Sequence, residues 1–383
     1  MNLKNKIDLK DILGRKEEVK NIGQGGNKVD NKVALSTFRI AATYIGTVVG
    51  AGFASGQEVL QFFGYYGFGG FIGLLLATLL FVIYGYIILR LGLEYQAKSH
   101  LQVIKYAAGK WLGALIDIVI TFFLFGALTA MIAGSGAIFE EQFAIPALWG
   151  NIIMAVTSLL TTLLGISGVI SAISFVVPLL LTGVFAVTIM TILSKLPFGF
   201  SALEQVVAGK PPVPNWILSA INYASYNLVI AVAVLAPLGK EVKEKSRLKW
   251  GSIFGGVGLG IGAMSILFAL LLNLPTAAKF EVPMVYVAGS FAPWVQIVYS
   301  AILIAEIYTT AVGNLYGFVA RLTDPDGSKY KLYVIITSIV ALIASQFGFT
   351  TLVRILYPAV GYAGFFLLGG LSFGMVKSYI KKA

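Results

Sequence analysis

Between Glu141 and Lys195 the chain carries no charged side chain. A run of that length is too apolar for the surface of a soluble domain. It is also too long for one membrane helix, which needs about 20 apolar residues. The "GISG" at 165–168 supplies a turn that splits it into two spans. The pattern recurs along the chain, with apolar stretches of spanning length at 36–62, 67–91, 111–139, 143–164, 167–193, 216–238, 250–274, 291–320, 332–348 and 352–376, the ninth being the shortest. Charged residues are 12% of the 383 and hydrophobic types 58%, whereas soluble domains carry roughly a quarter charged residues. The expected fold class is therefore all-α integral membrane, with ten transmembrane helices.

The net charge of +11 would suggest nucleic acid in a soluble protein, but its placement indicates topology instead. With the N-terminus inside, the basic residues of the tail to Arg39, of the 2–3, 6–7 and 8–9 loops and of the C-terminus all fall on one side. Of 28 lysines and arginines, the opposite loops hold only Lys195, Lys210 and Lys279, and Arg354 lies at a membrane end. The positive-inside rule then puts both termini in the cytoplasm and leaves no nucleic-acid partner. The sequence divides into a cytoplasmic tail (1–35), a first five-helix repeat (36–193), an extracellular connector (194–215), a second five-helix repeat (216–376) and a cytoplasmic C-terminal tail (377–383). The tail is polar and lysine-rich, without the apolar core of a signal peptide. Residues 3–20 can form an amphipathic surface helix or remain a solvated tail.

Enzyme chemistry has little to work with. The chain has no cysteine and one histidine, His100, which reads as part of a short polar loop. A thiol nucleophile, a disulfide framework and a His/Cys metal cluster are excluded.

The two halves are of nearly equal length, and each has five spans. An odd number per half predicts an inverted repeat. The first span of each half is unusual. Span one, "IAATYIGTVVGAGFASGQEVLQFF", has Gly46, Gly50, Gly52 and Gly56 within eleven residues, each costing about 1 kcal/mol in a helix interior. Span six carries the polar run "NYASYN" at 222–227. Interrupted segments at matching positions of two halves point to a transporter's substrate site, so both spans are predicted to be broken. Close helix packing by small residues is the plainer explanation of the glycines.

These residues resemble the amino acid–polyamine–organocation superfamily with its LeuT-type five-plus-five fold. The stretch "GTVVGAGFASGQEVLQFFGYYG" more closely resembles the bacterial YkvI-type membrane proteins, which implies a bacterial cytoplasmic membrane. The resemblance implies a site between spans one, three, six and eight. There Gly50, Ala51, Gly52 and Phe53 of span one would meet a substrate, with backbone amides facing its carboxylate, alongside Asn222, Tyr223, Ser225, Tyr226 and Asn227 of span six. It also implies a sodium ion as coupling cofactor, held by the carbonyls of Gly46 and Val49 and the hydroxyls of Thr309 and Thr310 in "AEIYTTAVGN", with no organic cofactor. Span five has no lysine to take the sodium's place. Hydrogen bonding between helices is the alternative role for the two threonines.

Four ionisable residues lie in or near the spans: Glu58, Asp117, Glu306 and Arg354. Such charges mark pathways or pairs. Glu306 lies one turn before Thr309 and can ligate the ion, carry a proton or hold a cationic group. Glu58 can attract a substrate amine, pair with Arg354 at an outer gate or cap the restarted helix. Asp117 can form an inner gate with Arg39 or a lysine, or simply reach water. The function expected is secondary transport by alternating access, coupled to sodium, of a small amino acid or related organic ion across the lipid bilayer. The alternatives are proton coupling through Glu306 and a membrane sensor that binds a metabolite without moving it; an enzyme is not expected.

Overall fold

The computed structural model describes residues 36–380, apart from 98, 165–175, 198, 200–202 and 243. The 1–35 tail and the "GISG" turn lie outside the described residues. Span one is three helices: α1 (Thr37–Val48), α2 (Ala51–Ser55) and α3 (Gln57–Phe63). The remaining helices are α4 (Phe68–Glu94), α5 (His100–Phe143), α6 (Ala147–Leu163), α7 (Val176–Lys195), α8 (Trp216–Glu241), α9 (Lys245–Leu271), α10 (Pro283–Gly289), α11 (Pro293–Leu322), α12 (Tyr330–Ala344) and α13 (Phe349–Ile380). Among the described residues eight helices are long and apolar enough to cross a bilayer. The broken α1–α3 and the 17-residue α6 complete the ten stretches read from hydropathy.

Local chemistry sets the ends. Ser36 caps α1 by accepting the Arg39 N–H, and Asn215 caps α8 by accepting that of Leu218. Glu281 does the same for α13, accepting the Phe349 N–H at 3.0 Å. Within α5, Gly109 has φ +84°, a conformation that side chains disfavour. The chain reverses there, so the short helix 100–108 folds back along the first turns of the long one.

The helices pack as two groups. The broken span one, α4, α8 and α9 pack on one another, while α5, α6, α11 and α12 form a second set. α13 bridges them through α5 and α8. The first group is tightly apposed: a methyl group on Gly92 of α4 would lie 2.1 Å from the Ala236 carbonyl of α8. Residues such as Leu75, Ile118 and Ile339 face outward and exposed, as the lipid-facing surface of a bundle must.

Span six corrects the sequence reading, because α8 is one continuous helix. The polar run contains no glycine, and its side chains bond without opening the backbone. Asn222 Nδ2 donates to Pro358 O at 3.0 Å, Ser225 Oγ to Gly361 O at 2.9 Å and Asn227 Nδ2 to Tyr223 O at 2.9 Å. The first two bonds fasten α8 to α13; the third closes within α8.

Candidate functional site

Span one breaks where its glycines cluster. α1 ends at Val48, Val49 and Gly50 are extended, and α2 ends at Gly56 in the left-handed region with φ +82°. A side chain at Gly56 would also strike Met284 at 2.7 Å. Ser55 bridges the second interruption, donating to Gly52 O and accepting the Gln57 N–H. Tyr299 of α11 braces α2 from the other helix group, its hydroxyl donating to Ala54 O at 2.7 Å.

The break opens on a cavity of about 320 Å³. Gly46 to Gly52 and Glu58 form one wall, and α8 adds Tyr226, Asn227, Ile230 and Val234. α5 contributes Phe123, Ala127 and Met131, α11 contributes Glu306, Thr309, Thr310, Gly313 and Asn314, and Tyr357 of α13 closes the set. Spans one, three, six and eight meet here, with span ten added.

The cavity has two polar ends. At one, the last carbonyls of α1 lack a following turn to bond, which leaves partial negative charge. Thr310 of α11 faces the break, since a methyl group on Gly50 would be 3.7 Å from its Oγ1. Thr310 donates to Glu306 Oε1 at 3.3 Å and Thr309 to Glu306 O at 3.0 Å. Glu306 is 2% exposed, and its Oε2 is buried without a hydrogen-bond partner. A buried orphan oxygen beside hydroxyls and free carbonyls is a donor set suited to a hard cation or a proton. Gly46, Val49, Glu306, Thr309 and Thr310 are thus brought together.

At the other end Glu58 is 6% exposed and accepts a hydrogen bond from the Tyr226 hydroxyl at Oε2. Its Oε1 lies over Gly52, where a Cβ would come within 1.9 Å. Phe123, Tyr226 and Tyr357 cluster beside it, with ring centroids 5.1–6.1 Å apart.

Not every residue picked from the sequence reaches the cavity. Gly50, Ala51, Gly52, Tyr226 and Asn227 line it. Phe53 packs toward Gly262 of α9, Asn222 and Ser225 turn to α13, and Tyr223 sits among Phe62, Phe63 and Phe81. The two gate pairings are also corrected. Arg354 donates to Lys210 O at 2.6 Å and to the Tyr65 hydroxyl at 3.4 Å, while Glu58 is held by Tyr226. Asp117 is bonded by Arg321 and not by the exposed Arg39. His100 is no loop residue. It starts α5, folds back to 3.4 Å from Asp117 and lies 3.0 Å from Arg321 Nη2. Burial and the Arg321 charge lower its pKa from the ordinary 6.5, against the opposing pull of Asp117. This cluster joins α5 to α11, two helices of the same group, so it braces that group and does not bar movement between the groups.

Sequence reasoning missed Thr47, Phe123, Met131, Asn314 and Tyr357. Asn314 had a signal, for 306, 310 and 314 repeat at one helical turn on a single face. Phe123 and Tyr357 had none, being ordinary aromatics in apolar helices.

No family model matches the chain. It is 34% identical over 339 residues to the membrane protein YkvI of Bacillus subtilis, covering 88% of this chain and 95% of that one. The chain belongs to the YkvI family. The YyaD protein of the same organism is 28% identical over 324 residues, covering 85% and 92%. Among solved structures, MhsT in complex with L-phenylalanine aligns with TM-score 0.57 at 17% identity, covering 86% of each chain. Mhp1 in an inward-facing conformation aligns at 0.59 and 14%, covering 80% of this chain and 69% of that one. A Na+-coupled sialic acid symporter aligns at 0.56 and 12%, covering 82% and 74%. The fold of this YkvI-family chain is accordingly LeuT-type, with the break in span one.

Proposed function

We propose that this protein is a secondary transporter that moves a small organic ion through the cavity at the span-one break by alternating access. The observation that carries this reading is the break itself: an interrupted helix at the wall shared by two separately packed helix groups. The solved structures of like fold include symporters, which supports the same reading. Rocking of the α1–α4, α8 and α9 group against the α5, α6, α11 and α12 group would open the cavity to each side in turn.

Sodium is the coupling ion in this reading, held by the carbonyls of Gly46 in α1 and Val49 just after it, the hydroxyls of Thr309 and Thr310, and Glu306. It would supply a positive charge that fixes span one against α11. A proton on Glu306 is the second reading, favoured by the orphaned Oε2. The basic loops would face the cytoplasm, with 1–35 and 377–383 as cytoplasmic tails and 194–215 as an extracellular connector between the repeats 36–193 and 216–376. The test is uptake into proteoliposomes under an imposed sodium or proton gradient. Ligand binding without uptake under either gradient would make the protein a sensor instead.

A further inference from the structure

In the family resemblance, the unwound segment of span one offers its backbone to a substrate's carboxylate. Here that place is already taken. The carboxyl of Glu58 lies over Gly52 so closely that a Cβ there would be 1.9 Å from Oε1 and 2.8 Å from Cδ. An incoming carboxylate would have to share the segment with a buried acid, and two carboxyl groups at such range cannot both be ionised without cost.

The rest of the cavity points the same way. Its lining contains two acids, Glu58 and Glu306, and no lysine, arginine or histidine among the described residues. Removing two carboxylates from water is expensive unless a proton or another positive charge accompanies each. The small-ion end at Glu306, Thr309 and Thr310 accounts for one such charge. The end at Glu58 calls for another, and its neighbours are three aromatic rings, Phe123, Tyr226 and Tyr357. Aromatic faces beside a carboxylate suit an ammonium group, particularly an alkylated one whose weak hydration is easily given up. Beyond these rings Ala127, Met131, Ile230 and Val234 offer an apolar slot for a hydrocarbon body.

We propose that the cargo is an organic cation without a carboxylate of its own, an alkyl or aryl amine or a quaternary ammonium ion, whose charged head lies against Glu58 and beside the ring cluster of Phe123, Tyr226 and Tyr357. This rests on the transporter reading of the same cavity. The protein supplies the carboxylate that an amino acid would bring.

Matched pairs differing only by a carboxylate test it: 3-methylbutylamine against leucine and phenethylamine against phenylalanine, with choline as the quaternary probe. Affinities are measured by thermal shift and calorimetry on the purified full chain in saturating sodium. The expected result is that an amine or choline binds at least tenfold tighter than either amino acid, and that Glu58→Gln removes at least tenfold of that affinity. Should Glu58→Gln fail to give monodisperse protein, Phe123→Leu serves in its place and lowers ammonium affinity about tenfold. The proposal is overturned if an amino acid outbinds its amine, if neither amine nor choline binds at millimolar concentration, or if the folded Glu58 variant keeps full ammonium affinity. Amine binding without proteoliposome uptake would remove the transporter reading and leave Glu58 and its rings as an ammonium-binding site, whereas leucine uptake would keep the transporter reading and overturn the proposed cargo.

Discussion

Gly52 and Glu58 occupy the same small volume: a methyl group on Gly52 would lie 1.9 Å from Glu58 Oε1 and 3.2 Å from its Cγ. Because the Glu58 carboxyl is buried and held by Tyr226, a Gly52→Ala change forces the whole side chain aside. Overpacking of this kind costs about 1–3 kcal/mol, and here it also moves the acid at one end of the cavity. Gly52→Ala is therefore expected to lower the melting temperature and weaken ammonium binding together. Gly50→Ala is the control, since its added methyl meets only Thr310 at ordinary contact distance, 3.7 Å, and its effect should stay under about 1 kcal/mol. Equal losses from the two substitutions would contradict the assigned packing.

The second prediction concerns the ion end. A ligand at a hundredfold its Kd stabilises the folded state by about 2.7 kcal/mol. Sodium chloride should thus raise the melting temperature relative to equimolar choline-free potassium chloride, and Thr309→Val with Thr310→Val should abolish the difference. If the double variant retains the full sodium shift, the ion lies elsewhere. If sodium has no effect and the wild type instead responds to pH in a way that Glu306→Gln removes, the coupling ion is the proton.

The spans were legible because the bilayer imposes a one-dimensional rule, length of apolar sequence, that needs no knowledge of neighbours. The break in span one was legible for a similar reason, since four glycines in eleven residues weaken a helix wherever it packs. Span six differs because its polar side chains carry no signal about the backbone: without glycine in the polar run the helix stays closed. The Asn222 amide nitrogen and the Ser225 hydroxyl find their acceptors on α13, 136 residues away, and only the folded arrangement shows those bonds. Tyr226 and Glu58, 168 residues apart, were each singled out, yet nothing in either segment indicates that they meet. Nothing in the sequence near Arg354 indicates the fold of the connector, which brings Lys210 O to its guanidinium.

The third prediction uses the chain's single histidine. Burial and Arg321 lower the pKa of His100 from 6.5, so the folded state favours the neutral ring, whose nitrogen can accept from the guanidinium. Its contribution to stability is then complete above pH 6.5 and is lost as pH falls through the folded value. Glu281 acts in the opposite sense, because burial raises its pKa and its contribution is lost as pH rises. The difference between wild type and His100→Gln isolates the histidine. On lowering pH from 7.5 to 5, the wild type should lose more stability than the variant, by at most about 1.4 kcal/mol per pH unit. Parallel curves would show that the ring carries no such linkage.

The fourth prediction separates fastening from binding on α8. Asn222 and Ser225 point to α13 and bond its carbonyls, whereas Tyr226 and Asn227 line the cavity. Hydrogen bonds between membrane helices average about 0.6 kcal/mol and reach about 1.7. Asn222→Ala and Ser225→Ala should each lower stability by an amount in that range, read as a lower melting temperature, and leave ligand affinity within twofold. Packing makes the neighbouring Gly361→Ala harsher, since its methyl would lie 2.0 Å from Asn222 Oδ1 and 2.7 Å from Asn222 O. Tyr226→Phe keeps the ring but removes the hydroxyl that holds Glu58, so it should alter ammonium affinity by more than the Asn222 and Ser225 changes do. If instead Asn222→Ala weakens binding as strongly as Tyr226→Phe, span six opens toward the ligand in the bound state, and the continuous helix describes only one stage of the cycle.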